Sequence, residues 1–368
     1  MLEPLPLPET VNQRWIETDS GLSQHILEAG DPGDPLVLLV HGFPEIAFSW
    51  RFVMPALAMA GYWVVAPDLR GVGRTTGWSE GYDVDVAEFA TPHLVRDMVA
   101  LINALGRDKA HAMIGHDFGA SVTAWSALIR PDVIGRAMIM SAPHGGAPAI
   151  ADRYDSIHDE MAALDRPRTH YQWYYCGREA NRHMMEAADG LHAFLRAYFH
   201  MKSADWAGNK PHALAGWTAS ELAKMPTYYI MDAGETMAEN VAHHMPDNET
   251  IANCHWLSDS DLSVYTAEYG RTGFQGGLNW YRGRIEEPGH VRLSVYQGAK
   301  IQVPMRFLAG QQDWGWAQFP GALTALETTA TADYRGTRLI DGAGHWVQQE
   351  QADEVIREIL AFIGTTEG

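Results

Sequence analysis

The chain has 368 residues, 46% hydrophobic and 20% charged, enough for one large core or for a core with an inserted domain. Its 27 lysines and arginines face 46 aspartates and glutamates, a formal charge of −19, which repels nucleic acid and anionic membrane and sets both aside as partners. No apolar run approaches the roughly 18 residues a membrane span needs. The N-terminal stretch has no basic region followed by an apolar one, and Cys176 and Cys254 share no short spacing. The expectation is a cytoplasmic protein with reduced thiols; composition leaves a homo-oligomer open.

Strands and helices alternate along the first part of the chain. Leu36 to Val40 is an unbroken apolar run of the kind buried on both faces of a parallel sheet. Helical spacing follows from Ser49 to Ala60, then a strand from Tyr62 to Ala66. A long amphipathic helix runs from Phe89 to Leu105 and is closed by Gly106. Ala110 to Ile114 reads as a strand, Ala120 to Ile129 as a helix and Arg136 to Met140 as a strand. Beyond Pro143 the rhythm breaks into successive helices rich in Trp, Tyr, His and Met. Strands resume at Val303 to Ala309 and Thr337 to Ile340, and a helix spans Asp353 to Ile363. The pattern predicts a doubly wound, mostly parallel α/β sheet over residues 1–143 and 298–368, split by a helical cap at 144–297, far longer than an ordinary loop.

Gly115-His116-Asp117-Phe118-Gly119 lies between a predicted strand and a predicted helix. It is G-x-D-x-G, the carboxylate version of the nucleophile elbow, in which a strained turn lifts the central residue above the carboxyl end of the sheet. The alternative is an ordinary strand-to-helix turn with Asp117 as N-cap. A carboxylate nucleophile attacks saturated carbon and forms an ester, which points to epoxides or carbon–halogen bonds. Among 17 histidines, His345 in Gly342-Ala343-Gly344-His345-Trp346 follows the final strand, where this fold carries its base. No histidine spacing suggests a metal site, and none is expected. Asp313 ends the preceding strand and is the orienting acid for His345; the alternative acid position, Ser141-Ala142-Pro143, has no carboxylate. The loop His41-Gly42-Phe43-Pro44 is expected to donate the Phe43 N–H, with the Phe118 N–H, to an oxyanion.

These residues resemble the epoxide hydrolases of the α/β-hydrolase fold. The resemblance runs from His41-Gly42-Phe43-Pro44-Glu45 and Ser49-Trp50-Arg51 through the Asp117 elbow to Asp313 and Gly344-His345. It includes Tyr171-Gln172-Trp173-Tyr174 and Asn279-Trp280-Tyr281-Arg282, preceded by Gly273-Phe274 and Gly276-Gly277. It implies a small-molecule epoxide substrate, no cofactor, and two cap tyrosines, Tyr171 and Tyr281, that hold the epoxide oxygen. A phenol, with a pKa of about 10, can hydrogen-bond that oxygen and then protonate it. His170 adjoins Tyr171 and is an alternative first donor; Trp173 and Trp280 are further candidate substrate contacts. Trp206, Trp217, Met184, Met185 and Met201 suggest an apolar pocket, although cap packing uses the same residue types.

The chain departs from the family at Phe118, where tryptophan is usual. Haloalkane dehalogenases hold halide with N–H donors that Phe43 and Phe118 lack, and fluoroacetate-type dehalogenases use an Arg after the nucleophile. A dehalogenase is therefore the second enzymatic reading. A non-catalytic binding protein on the same scaffold would need no complete set of nucleophile, acid, base and oxyanion loop.

Overall fold

The structure is a computed structural model that describes residues 2–149, 157–286 and 289–364. Its strands, in chain order, are β1 (Asn12–Glu17), β2 (Ser23–Ala29), β3 (Leu36–Val40), β4 (Trp63–Pro67), β5 (Ala112–His116), β6 (Ala137–Met140), β7 (Arg168–His170), β8 (Ile230–Asp232), β9 (Met305–Gly310) and β10 (Tyr334–Ile340). Eight of them form one sheet in the order β1-β2-β4-β3-β5-β6-β9-β10. β2 runs antiparallel to both neighbours, and the six strands from β4 to β10 pair in parallel.

β3 explains its own sequence. Leu36, Leu38 and Val40 point into one apolar layer, with Leu94, Met98 and Leu101 of helix Thr91–Ala104 and Val122 of helix Phe118–Ile129. Val37 and Leu39 point into the other, with Met54 and Leu57 of helix Met54–Met59 and Val355, Ile359 and Phe362 of helix Ala352–Ile363. A strand covered on both faces has no reason to alternate with polar residues. The chain leaves β3 to one side for β4 and returns on the other side for β5. The loops after β3 and β5 therefore open a crevice at the carboxyl ends of the strands, the ligand position in such sheets.

The structure corrects the sequence reading in three places. β1 and β2 were not predicted: β1 is a partly exposed edge strand, and both carry polar side chains that break an apolar run. The expected helix from Ser49 to Ala60 divides into a 3-10 turn, Ala47–Trp50, and helix Met54–Met59. The inserted segment is helical, as expected, but also holds the antiparallel ribbon β7–β8, which ends at His170 and so fixes where Tyr171 begins its helix. Both cysteines are free. Among the described residues no helix is long and apolar enough to cross a membrane.

Candidate active site

Asp117 follows β5 at φ +52° and ψ −117°, outside the regions ordinary residues favour. The neighbouring glycines make that turn possible. A Cβ on Gly115 would lie 2.1 Å from the Gly119 carbonyl oxygen, and one on Gly119 would lie 2.3 Å from that of Val40. The Phe43 N–H donates to Asp117 Oδ1 at 2.9 Å. Phe118 is the first residue of the following helix, where an amide has no partner within the helix. The two expected oxyanion residues thus flank the carboxylate. Burial works against the Asp117 charge, but contact with His345 and the charges of Lys202 and His116 hold it well below the usual carboxylate range.

His345 Nε2 lies 3.3 Å from Asp117 Oδ2, close but not aligned as a hydrogen bond. On the far side of the ring, Nδ1 is 3.1 Å from Asp313 Oδ1. Asp313 also accepts the Gly315 N–H at 2.7 Å. Burial raises its pKa, but the charge and hydrogen bond of His345, with Ser141 and Gly315, bring it below the normal value. Nucleophile, base and acid therefore form one line, with the base reaching both carboxylates.

Sequence reasoning missed the groups behind that line. Ser141, at the alternative acid position, has φ +73°, and its Oγ lies 3.0 Å from His345 Nδ1. No carboxylate stands there, but a hydroxyl supports the same imidazole. His116 Nδ1 lies 2.6 Å from Glu45 Oε2 and its Nε2 2.7 Å from the His345 carbonyl oxygen. Both ring nitrogens face acceptors, so the ring is held as a cation. Burial opposes that charge, yet Glu45 raises the His116 pKa above normal, and His116 draws that of buried Glu45 down. Glu45 was visible only as a letter in the oxyanion loop; its inward turn needs the tertiary structure.

Both expected cap tyrosines reach the site. Tyr281 meets the rings of Phe43 and Phe118 edge-on, at 5.6 and 5.5 Å between centroids, and that of Tyr171 at 6.0 Å. Tyr171 donates to Gln318 Oε1 and accepts from Gln172 Nε2 at 3.0 Å. Burial first, and then the Asp117 charge, raise both phenol pKa values, so both remain protonated donors. The rest of the Asn279-Trp280-Tyr281-Arg282 run anchors the helix. Asn279 donates to the Gly81 carbonyl at 3.1 Å, the Trp280 indole to that of Arg70 at 2.7 Å and Arg282 to that of Tyr82 at 2.6 Å. Trp280, a candidate substrate contact, thus has its N–H spent on the backbone, and its ring packs against Phe118 at 5.2 Å. His170 caps its helix by accepting the Gln172 N–H, and burial lowers its pKa to about 3, so it is neutral. Its ring stacks on Tyr171 and meets Trp173 edge-on at 4.8 Å. Among the described residues no group of His, Cys, Asp and Glu could hold a metal ion.

The alpha/beta hydrolase fold family matches residues 35–169. Epoxide hydrolase A of Mycobacterium tuberculosis is 32% identical over 365 residues, covering 95% of this chain and 97% of its own. Epoxide hydrolase B of the same organism is 33% identical, covering 91% and 92%. The crystal structure of epoxide hydrolase A from Mycobacterium thermoresistibile superposes with a TM-score of 0.74 at 32% identity, covering 97% of this chain and 99% of that one. Similarity over nearly the whole length means that the chain belongs to the epoxide hydrolase family of the α/β-hydrolase fold.

Proposed function

We propose that the protein hydrolyses a small-molecule epoxide to a vicinal diol through an ester on Asp117. One observation carries the reading: a single carboxylate has a backbone donor on one oxygen, the His345 imidazole at the other, and two protonated phenols from the cap nearby. Asp117 attacks an epoxide carbon, and the ring C–O bond breaks. The oxygen takes a proton from Tyr171 or Tyr281, because an alkoxide is too basic to leave unaided. His345 then removes a proton from water, whose oxygen attacks the ester carbonyl of Asp117. Asp313 and Ser141 hold the imidazole and answer its charge. The Phe43 and Phe118 amides stabilise the tetrahedral oxyanion; as it collapses, the His345 proton goes to the departing alkoxide, and the carboxylic acid proton restores the phenol, leaving the diol and the free carboxylate.

A dehalogenase would share Asp117 but needs N–H donors for the departing halide. Phe43 and Phe118 have none on their side chains, and the Trp280 indole is engaged. We take residues 144–297 as the cap, since its tyrosines complete the site and its loss would leave only the hydrolytic half. A cytoplasmic location fits the free thiols.

The test is diol formation from a panel of aliphatic and aryl epoxides, beside halide release from haloalkanes and haloacetates. His345→Ala should accumulate ester, making the protein heavier by one substrate on intact-mass analysis, while Asp117→Ala stays unmodified. A turnover substrate that leaves His345→Ala unmodified would rule out the two-step route.

A further inference from the structure

Helix Leu191–Lys202 of the cap ends against the loop that carries His345. The Lys202 carbonyl accepts the His345 N–H at 2.9 Å. The Lys202 side chain is only 2% exposed, and no carboxylate lies within ion-pair distance of its ammonium among the described residues. Aromatic faces surround it: ring centroids lie at 5.1 Å for Tyr229, 5.3 Å for Tyr198 and for Trp346, and 5.9 Å for Tyr228.

A buried ammonium without a carboxylate contact is costly, and structures tolerate it where something else answers the charge. The four rings answer part of it. The remainder is longer in range: burial pulls the lysine pKa down, while Asp117, then Asp313, then Glu45 pull it up. The effect is mutual, since Lys202 is among the charges that keep Asp117 ionised. An apolar residue would fill this place at no electrostatic cost, so the charge calls for an explanation in the chemistry beside it.

We infer that Lys202 is a positioning residue for ester hydrolysis, a buried positive charge at the end of the helix that abuts the His345 loop, which steadies the oxyanion formed on Asp117 and opposes the charge on His345. The inference rests on the roles given above to Asp117 and His345. In the hydrolytic step the water oxygen bonds to the ester carbon and its proton goes to His345 Nε2. The carbonyl becomes an oxyanion, and the ester C–O bond then breaks with proton return to the diol. Lys202 favours the oxyanion and keeps His345 able to accept the proton at lower pH. The groups facing His345 are Asp117 at Nε2, Asp313 and Ser141 at Nδ1, and His116, backed by Glu45, at its carbonyl. Glu350 accepts the amides of Gly344 and Trp346 on either side of it. Burial pushes the Glu350 carboxyl up to about 8, so the standing negative charges of this set are Asp117, Asp313 and Glu45, and Lys202, with His116, offsets them.

Lys202→Met keeps the apolar stem and removes the charge; Lys202→Arg keeps the charge. The rate of ester breakdown is followed by rapid mixing across pH on an epoxide that the wild type turns over. Without the charge, the acid limb of that profile should move up by about half to one pH unit, roughly 3–10-fold in rate on the acid side. The Arg variant should hold the wild-type limb. An ester that forms and breaks down in folded Lys202→Met with an unmoved limb overturns the assignment but leaves the function standing. Absence of any ester in His345→Ala, on a substrate that the wild type turns over, overturns both. The wild type gives an independent check by 15N-lysine NMR: the buried Nζ must be an ammonium throughout the pH range in which hydrolysis changes. A neutral amine there ends the proposal whatever the variants do.

Discussion

At the scale of single residues, the cap contributes the two phenols and the Lys202 charge, and the core contributes the nucleophile, base, acid and oxyanion amides. Tyr171 and Tyr281 serve ring opening in the proposed scheme, whereas His345 and the Phe43 and Phe118 amides serve hydrolysis. Tyr171→Phe and Tyr281→Phe should therefore slow ester formation and leave ester breakdown nearly unchanged. General-acid help is worth about 10²–10⁴-fold, and the single variants should lose less than the double because each phenol can cover for the other. Rapid-mixing kinetics separates the two steps; unchanged ester formation in the folded double variant would remove the phenols from the mechanism. The structure also bears on His170. As a neutral ring whose Nδ1 accepts an amide, it is expected to support Tyr171 by stacking, so His170→Ala should cost less than Tyr171→Phe.

At the scale of elements, glycines decide how closely the cap helix Gln275–Ile285 lies on the core. A Cβ on Gly276 would come within 1.8 Å of the Gly71 carbonyl oxygen, and one on Gly277 within 2.6 Å of the Phe43 ring. The helix thus rests its backbone on the core and carries Tyr281 to the oxyanion loop. Gly276→Ala forces backbone against backbone and should cost about 3 kcal/mol, with ester formation impaired because Tyr281 moves. Gly270→Ala, in the neighbouring helix Asp259–Thr272, meets nothing closer than Leu191 Cδ2 at 3.8 Å. It should be neutral or stabilising by about 0.5–1 kcal/mol, since glycine is the poorer helix former. Chemical denaturation of the two variants distinguishes close approach from simple helix propensity; equal effects would count against it.

At the scale of the whole molecule, Asp68 ties distant parts of the chain to the site. Its buried carboxylate accepts from His25 Nδ1 in β2 at 2.7 Å, from the Ala47 N–H at 2.8 Å and from the Arg74 N–H at 2.9 Å. The Arg74 side chain in turn grips Glu268 of the cap at 2.7 Å. Burial works against the Asp68 charge, but His25, His41 and the Arg74 amide bring its pKa down from 3.8 to about 2. A depressed carboxylate contributes stability above its unfolded pKa and loses it as pH falls through the folded one. About 2 kcal/mol should therefore disappear between roughly pH 4 and pH 2. Urea midpoints over that range should fall more steeply for the wild type than for Asp68→Asn, which begins less stable at neutral pH. Parallel curves would mean that other carboxylates carry the acid sensitivity.

The sequence by itself determined the parts that local chemistry dictates. A doubly buried strand must be an apolar run, so β3 to β6 and β9 were legible. An elbow must have small residues around its apex, so Asp117 stood out, and His345 and Asp313 followed from their places after the last strands. The tertiary structure alone decided what depends on contacts between distant segments. β1 and β2 lie at and next to the sheet edge, where one face or one side needs no apolar cover, and no periodic signal marks them. The Trp280 N–H is held by the Arg70 carbonyl, a contact that no local pattern marks. Ser141, Glu45, His116 and Lys202 carry no spacing rule. Their positions around His345 are set by the packing of β3, β5, β6 and a cap helix about one buried ring, and a charge or hydroxyl takes its meaning there from neighbours far away in the chain.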